Sequence, residues 1–516
     1  MPESVDKYFS PANSNVFALV NLPEVVKGAL FSRYSRSPDN LREILEQEFL
    51  VLGEEKAEAF YDRVLGEYGD DSVAELGGCH IAIEGVSDLV AQEILSSRIG
   101  ISPLAKSTRY VDFGKDASPY YTPEAIVTDQ SARQIYDQAM RLLYDTYNGL
   151  LPRVVEQLKL ASPRDGVSPA AYDRSVKAKA LDLIRGLLPI GTRTNLGLFG
   201  NGRAFEYLIV KLNASDHPEA HEIAKKIKIA LDGVIAPFVK RSTAERGRLY
   251  TDYLRRLRLA GTKALPDRLP DPFANFFCAW DSPREVELIK YNRAAADEVL
   301  IGTIYPLSND SHGDIQNYVQ SLSDQEKIEI LDNLANQRSS RHQRPGRALE
   351  LADYLFEITS DIGAYRDLHR HRICTEIRQQ QGFSLSYDMP AGLAALGCGI
   401  SEDYKLALDS AKISFKVLTK RGLDCSADYL LPMAYNCRWL HKLNLREAVH
   451  LVELRSQPQG HISYREVAWA MADLIIQANP LLASQFRFVD RTTEDLGRLK
   501  AEVRTEEKQL EQKKNN

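Results

Sequence analysis

Two arginines flank a histidine at the start of the stretch HRHRICTEIRQQQGF, residues 369–383. Arg370 and Arg372 carry fixed positive charges, and His371 adds a ring that titrates near neutral pH in an unperturbed setting. Such a combination suits phosphate groups or an electron-rich cofactor ring. An exposed basic helix face is the alternative for an isolated Arg-His-Arg, so the residues that follow must decide between the two.

A second polar cluster follows on a segment that is otherwise apolar. Asn444, Arg446, His450 and Arg455 lie in NLREAVHLVELR, where Arg446 and His450 are four residues apart and share one helix face. Polar side chains of this density in an apolar helix need a partner. The two clusters together favour a bound anionic ligand over a solvated surface.

The chain contains an internal repeat. LLPIGTRTNLGLFGNGR at 187–203 and LLPMAYNCRWLHKLNLR at 430–446 both place Leu-Leu-Pro, and then Asn two residues before Arg, at the same offset. GNGRAFEYLIVKLN continues the first copy as NLREAVHLVELR continues the second, and SSRIGISPLAKSTRY corresponds to RHRICTEIRQQQGF upstream. Three matches in the same order predict a tandem duplication.

These elements resemble the signature of the flavin-dependent thymidylate synthase family. That signature is Arg-His-Arg, a seven-residue gap, Ser-x-Arg, and a downstream Asn-x-Arg-x3-[Asn/His]-x4-Arg helix. Residues 370–372 and 444–455 match its first and last parts, and HQRPGRALE (342–350) is similar to the family's His-Glu-x-Pro segment. The second half departs from the signature at Gln380 and Gly382, where the family has its serine and arginine.

The first half is similar to the part of the family signature that the second half lacks. Ser107, Thr108 and Arg109 match the family's Ser-x-Arg-Tyr arrangement, and Arg185 matches another arginine that contacts the nucleotide in the family. In place of Arg-His-Arg, this half has Ser-Arg-Ile at 97–99. Each half therefore keeps what the other has lost. The resemblance implies one complete site composed from both halves.

The resemblance also implies a reaction, the reductive methylation of dUMP to dTMP with methylenetetrahydrofolate as carbon donor, FAD as hydride carrier and NADPH as its reductant. Arg455 is the expected catalytic residue, because an arginine near N3 and O4 of the pyrimidine favours its electron-rich anionic form. The expected substrate-binding residues are Ser107, Thr108, Arg109, Arg185, Arg370 and Asp367. The expected FAD-binding residues are Arg370, His371, Arg372, Ile373, Asn444, Arg446 and His450.

Two departures from the family bear on the substrate. Asp367 stands where the family has a glutamine, and a carboxylate there would repel phosphate or recognise another group. YGDDSVAELGG (68–78) is similar to the family's folate-side segment but lacks its histidine, with Asp70 nearest. The alternatives are a divergent flavoenzyme acting on another pyrimidine nucleotide and a non-catalytic nucleotide-binding scaffold. A yellow protein would argue against the scaffold, and the identity of the product would separate the two enzymes.

Composition argues against several other classes. The 516 residues carry a formal net charge of -6, which does not indicate a nucleic-acid-binding protein. The six cysteines form no Cys-x-x-Cys pair, so we expect no disulfide framework, no metal site and a reduced, cytoplasmic protein. The N-terminus has no basic region followed by an apolar core, and no apolar run reaches about 18 residues. We therefore expect neither a signal peptide nor a membrane span.

Helical spacing dominates the chain, as in SARQIYDQAMRLLYDTYNGLLPRVVEQL, and shorter β-rich segments lie between the helices. This pattern and the repeat predict an α+β fold of two tandem copies, each a mixed sheet packed with long helices. The proline-rich GTKALPDRLPDPF predicts a domain boundary. The expected domains are 1–265 and 266–492, followed by a charged tail, 493–516, which we expect to be a solvated helix that frays into a disordered end. We expect a homodimer of such chains, which would imitate the family's homotetramer.

Overall fold

The computed structural model describes residues 5–50, 73–115, 118–264, 285–397, 399–493 and 496–515. Asp70 and most of the proline-rich boundary segment lie outside the described residues. The strands are β1 (Phe9–Ser10), β2 (Ala18–Leu19), β3 (Gly78–Ser87), β4 (Ile101–Ala105), β5 (Arg193–Asn201), β6 (Glu285–Tyr291), β7 (Asp353–Asp361), β8 (Thr375–Arg378) and β9 (Asn436–Asn444). The α-helices are α1 (Glu24–Tyr34), α2 (Leu41–Ile44), α3 (Asp88–Leu95), α4 (Glu124–Thr128), α5 (Gln130–Ala161), α6 (Pro169–Ile184), α7 (Gly202–Asn213), α8 (Pro218–Val239), α9 (Glu245–Ala264), α10 (Ala295–Ile304), α11 (His312–Ser321), α12 (Asp324–Asn336), α13 (Ile362–Leu368), α14 (Ala391–Ala394), α15 (Ile400–Thr419), α16 (Asp424–Ala427), α17 (Leu445–Arg455), α18 (Ile462–Ala478) and α19 (Leu499–Asn515).

The chain forms two compact units that alternate along the sequence. The first comprises the described residues of Met1–Lys106 and Arg193–Leu269, and the second those of Ser107–Thr192 and Pro270–Asn516. The predicted domains, 1–265 and 266–492, follow the sequence repeat and stay a prediction. The compact units have different limits, because the segment 107–192 of the first copy packs into the second unit. Its end is held there by backbone hydrogen bonds from Ile190 to Leu431 and from Gly191 to Tyr429.

The first unit is built around a three-stranded antiparallel sheet. Its strand order is β3-β5-β4, and α7 and α8 supply buried side chains such as Phe205 and Phe238. Gly202 opens α7 beneath Phe238, where a Cβ atom would lie 2.4 Å from the phenylalanine Cβ. Only glycine permits this close approach, so the first turn of α7 rests directly against α8.

The second unit contains a four-stranded antiparallel sheet with strand order β6-β7-β9-β8. Alternate residues of β7, namely Tyr354, Phe356 and Ile358, are buried, as expected for a strand with one face on the core. The long helix α5 begins at Asp129, whose carboxylate accepts hydrogen bonds from the amides of Ser131 and Ala132. It packs beside α6 and α15 in the same unit.

The same strand-to-helix transition occurs twice in each unit. In the first, β3 ends at Ser87 and leads into α3, and β5 ends at Asn201 and leads into α7; each end residue caps the helix that follows. In the second, β7 ends at Asp361 and leads into α13, and β9 ends at Asn444 and leads into α17, again with side-chain caps. The predicted α+β class is confirmed. All described strand pairs are antiparallel, which refines the predicted mixed sheet.

The charged tail forms a helix, as the sequence predicted, but part of that helix contacts the second unit instead of being fully solvated. The structure describes α19 as a helix, and its position is fixed by Arg174 of α6, which pairs with Glu502 at 2.8 Å and with Glu506 at 2.7 Å. Glu502 and Glu506 are four residues apart and share one face of α19, so a single arginine of α6 contacts both. Across the described residues, no helix combines the length and apolar character that crossing a bilayer requires.

Candidate active site

The second unit brings together predicted site residues from both sequence halves. Arg185 of the first half donates a hydrogen bond from Nη1 to Asp367 Oδ2 of the second half, at 3.2 Å. Arg109 of the first half donates from Nη1 to the hydroxyl of Tyr464 at 2.8 Å. These contacts occur within one chain. The geometry therefore brings residues of the two sequence halves together in one compact unit.

Arg109 is held by acceptors on three sides. Its Nε donates to Asp182 Oδ1 at 2.9 Å, its Nη1 to Tyr464, and its Nη2 to the carbonyl of Gln459 at 2.5 Å. Burial would lower the pKa of Arg109, but Asp182 and Tyr464 raise it above its ordinary value. Ser107 Oγ accepts a hydrogen bond from the amide of Arg109 and thus helps to shape the loop that carries it.

Asp367 is buried rather than facing the site as an isolated anion. Its burial would raise its pKa, but Arg185, Arg109, Arg370 and Arg455 together hold that pKa well below its usual range. The carboxylate is therefore ionised and compensated. The expected repulsion between Asp367 and a phosphate is accordingly offset by the surrounding arginines.

Arg185 retains unused hydrogen-bonding capacity. Its side chain is almost fully buried, yet Nη2 has no hydrogen-bond partner and approaches Asp361 only to 4.0 Å. Arg185 borders a cavity of about 360 Å³ together with Tyr404, whose buried hydroxyl also lacks a partner. Two unsatisfied buried donors beside one cavity form a site for a ligand that carries acceptor atoms.

His371 lies between a carboxylate and an arginine. Burial, Arg455 and His450 lower its pKa well below its ordinary value, so the ring is neutral at neutral pH. Arg455 Nε donates to His371 Nε2 at 3.0 Å, which leaves the proton on Nδ1, 2.7 Å from Glu447 Oε1. The tautomer is thereby fixed, and the donation orients the guanidinium of Arg455.

The remaining predicted cofactor residues differ in their roles. Arg370 and Ile373 are exposed, and Arg372 is half-buried. Asn444 caps α17 by accepting from the amide of Glu447 at 2.9 Å. Arg446 donates to the carbonyl of Pro345 and to Glu350, both at 2.8 Å, so it anchors the segment that is similar to the family's His-Glu-x-Pro. The structure therefore assigns structural contacts to Asn444 and Arg446.

The region around His450 carries excess positive charge. Burial lowers the pKa of His450, Glu447 opposes this, and Arg344, Arg455 and Arg341 lower the pKa further. Arg370, on the same Arg-His-Arg stretch, is exposed and adds a further positive charge. A bound anionic group would reduce the electrostatic repulsion among these cations. The donor set around His371 and His450 thus fits an anionic cofactor such as FAD.

His371, Glu447 and His450 also form a group that could hold a metal ion, with ligand atoms within 4.8 Å of one another. In this conformation, however, Nε2 of His371 accepts a hydrogen bond from Arg455, and the arginines around His450 oppose a second cation. The donor set therefore suits an anion better than a metal ion.

Sequence reasoning missed several residues that hold this site together. Asp182 is buried and accepts hydrogen bonds from both Arg109 and Arg498. Tyr464 lies with its ring 5.5 Å from the guanidinium of Arg109 and 5.7 Å from that of Arg455. His461 Nε2 contacts the carbonyl of Asp182 at 3.1 Å. A carboxylate within the apolar run ALDLIRGLLPI was the one available signal, because such a charge needs a buried partner.

The chain is similar to proteins from several organisms. UPF0159 proteins of Chlamydia muridarum and Chlamydia pneumoniae are each 37% identical, covering 97% and 98% of this chain and 97% of their own lengths. A flavin-dependent thymidylate synthase of Geobacter sulfurreducens is 31% identical over 93 residues, which are 18% of this chain and 39% of that protein. The structure of a UMP/dUMP methylase from Streptomyces cacaoi superposes with a TM-score of 0.35 at 16% identity, over 41% of this chain and 98% of that one.

The sequence profile described as thymidylate synthase complementing protein matches this chain in two segments, residues 25–235 and 287–481. The two segments agree with the repeat found in the sequence and with the strand-to-helix transitions that recur in the two units. The resemblance that the motifs predicted is confirmed at the level of the family. This chain belongs to the thymidylate synthase complementing protein family.

Proposed function

We propose that the chain is a flavin-dependent thymidylate synthase, which methylates dUMP to dTMP with methylenetetrahydrofolate and NADPH. The observation that carries this proposal is the ion pair between Arg185 and Asp367, because it joins the nucleotide-side fragment of the first half to the Arg-His-Arg fragment of the second. In the resembled family a site needs both the nucleotide-side fragment and the Arg-His-Arg fragment, and here both fragments lie in one compact unit. In this proposal NADPH and methylenetetrahydrofolate are co-substrates of the enzyme.

On the nucleotide side, the chain offers cations whose positions are fixed. Arg109 is oriented by Asp182 and Tyr464, and Arg185 has a free donor beside the cavity that it borders. Positioned guanidinium groups bind phosphate and carbonyl oxygens with little loss of side-chain freedom. Ser107 and Thr108 add hydroxyl groups on the same loop. In the proposal these groups bind dUMP, and Arg370 contributes from the exposed rim.

On the cofactor side, FAD would bind near Arg370, His371, Arg372 and His450, and when reduced it supplies the hydride. The neutral His371 holds Arg455 by accepting its Nε hydrogen, so the rest of that guanidinium is available to the substrate. A positive group beside N3 and O4 stabilises negative charge on the pyrimidine and makes C5 nucleophilic. Arg455 is accordingly the proposed catalytic residue, and Tyr464 supports it through its ring.

A flavoenzyme that acts on another pyrimidine nucleotide is the second candidate. The observation that favours it is the ion pair between Asp367 and Arg185. This pair neutralises part of the positive charge that would otherwise attract a phosphate group. A substrate of lower charge, or one with additional donor groups, would suit such a site.

Anaerobic incubation of the purified protein with FAD, NADPH, methylenetetrahydrofolate and dUMP tests the proposal. Formation of dTMP, measured by mass spectrometry, is the expected result. Arg455→Ala should abolish it, whereas Arg203→Ala, which removes an exposed arginine of the first unit, should not. A flavin spectrum that responds to dUMP without product would favour the second candidate. Absence of flavin binding would contradict both candidate functions, because both are flavoenzymes.

A further inference from the structure

The C-terminal arm, residues 496–515, reaches the nucleotide side of the site through Arg498. This side chain is buried, and its Nη2 donates to Asp182 Oδ2 at 2.8 Å. Its Nε donates to the carbonyl of Gln459 at 3.2 Å and its Nη1 to the carbonyl of Arg109 at 3.3 Å. The guanidinium also lies 4.6 Å from the ring of Tyr110. Burial of a charged guanidinium costs free energy unless an ion pair and hydrogen bonds compensate for the lost water, and Arg498 makes such contacts with the nucleotide side of the site.

Arg498 and Arg109 share two acceptors. Both donate to the carboxylate of Asp182, and both donate to the carbonyl of Gln459. Two guanidinium groups on one carboxylate leave a net positive charge. Asp182 is thereby fixed from both sides, and Arg109 has little freedom to turn away from its position.

The arm is packed against the site by its backbone as well as by its charge. A Cβ atom on Gly497 would lie 2.2 Å from the carbonyl oxygen of Pro458, so the two chain segments are in contact there. Gly497 and Arg498 also form part of the wall of a cavity of about 260 Å³, together with Asp182 and His461. Beyond Arg498, α19 is held on α6 by Arg174.

We propose that the C-terminal arm completes the nucleotide side of the site, and that Arg498 is a positioning residue that holds Arg109 through Asp182 and the carbonyl of Gln459. This inference rests on the proposed function for its ligand, dUMP, but its structural part does not. Without Arg498, Asp182 loses one of two donors, and the turn that carries Gln459 loses its contact with the arm. Arg109 then samples orientations that do not favour the nucleotide.

The test uses the full-length chain with FAD and compares Arg498→Ala with Arg504→Ala, a matched change at an exposed position of α19. Two quantities are measured, the Kd for dUMP from the flavin absorbance and the hydrogen exchange of the backbone amides in segments 107–110 and 457–460. For Arg498→Ala we expect the Kd for dUMP to rise about tenfold, faster exchange in both segments, and an unchanged Kd for FAD. Arg498→Lys should restore part of the affinity, because a lysine can replace one of the donors but not all.

The outcomes separate this inference from the proposed function. Unchanged exchange in both segments of Arg498→Ala would overturn the role of the arm, whether or not dUMP binds. Where the wild type binds dUMP, unchanged affinity for dUMP in that variant would overturn it equally, as would an equal loss in Arg504→Ala. A wild-type protein that binds FAD but not dUMP would count against the proposed substrate, while faster exchange in Arg498→Ala alone would still support the structural role of the arm.

Discussion

Arg455 donates a hydrogen bond from Nε to Nε2 of His371 at 3.0 Å, and this bond connects the end of α17 to the Arg-His-Arg stretch. It requires a neutral imidazole with an unprotonated Nε2, which the lowered pKa of His371 provides. Glu447 accepts on the other side of the ring. The histidine is thus a neutral link between a partly buried carboxylate and the proposed catalytic arginine.

The first prediction concerns whether each site belongs to one chain. Arg109→Ala and Arg455→Ala should each lower kcat/KM by about 100-fold or more, because each removes a positioned cation that the other cannot replace. A mixture of the two purified variants, refolded or exchanged together, should remain inactive, since every chain carries one damaged site. Recovery to about a quarter of the wild-type activity, the share of intact sites expected from random pairing, would instead show sites shared between chains.

The second prediction concerns Asn444, which the motif resemblance predicts to bind FAD and which caps α17 in the structure. Asn444→Ser retains a capping side chain and should leave the stability and the Kd for FAD nearly unchanged. Asn444→Ala should lower the free energy of unfolding by about 1 kcal/mol. Asn201→Ala, at the equivalent cap of α7 in the first unit, is the matched control for cap loss and should not affect the Kd for FAD. A large loss of FAD affinity in Asn444→Ser would point to a direct contact with the cofactor.

The third prediction concerns the pH dependence of stability. Burial, Arg185 and Arg109 lower the pKa of His461 to about 3, although Asp182 opposes this. In the unfolded chain the histidine pKa is about 6.5, so below that pH the unfolded state binds a proton that the folded state does not. The free energy of unfolding should therefore fall with decreasing pH, by about 1.4 kcal/mol for each pH unit from this group, until the pH approaches 3.

Urea unfolding at about pH 6.5, 6.0 and 5.5, values at least about one unit above the usual carboxyl pKa, measures this slope. His461→Asn keeps a side chain that can cap α18 and should show a shallower dependence on pH. His312→Asn changes an exposed histidine and should leave the slope as it is in the wild type. Equal slopes in wild type and His461→Asn would contradict the assignment of a neutral buried ring.

The fourth prediction contrasts a buried ion pair with an exposed one. Arg338 binds Glu453 through two hydrogen bonds, at 3.1 and 2.5 Å, in a buried position. Arg338→Met leaves Glu453 without its cation and should cost about 3–5 kcal/mol of unfolding free energy. Arg153 and Asp403 form an exposed pair at 2.6 Å, so Arg153→Met should cost at most about 1 kcal/mol. Similar losses from the two substitutions, measured by urea unfolding, would disprove the distinction.

The sequence by itself determined the family and the duplication, and it predicted the complementarity of the two halves. These features depend on residue types at fixed offsets, such as Asn two positions before Arg in both copies, and local spacing carries them without knowledge of distant contacts. The α+β class also followed from local patterns, because periodicity reports which face of a helix or strand is buried. Asn444 shows the limit of such evidence, since its spacing is typical both of a ligand contact, which stays a prediction, and of the helix cap that the structure shows.

Only the tertiary structure decided which residues surround each buried charge. Asp182 is separated from both Tyr464 and Arg498 by hundreds of residues in the sequence, and it lies in the same unit as they do because the segment 107–192 packs into the second unit. The tail was predicted to be a solvated, fraying helix because its composition is polar, yet Arg498, just before that helix, is buried against Asp182 and Gln459. Burial strengthens a charge pair and raises the cost of an unpaired charge, and burial depends on long-range packing that no local pattern encodes.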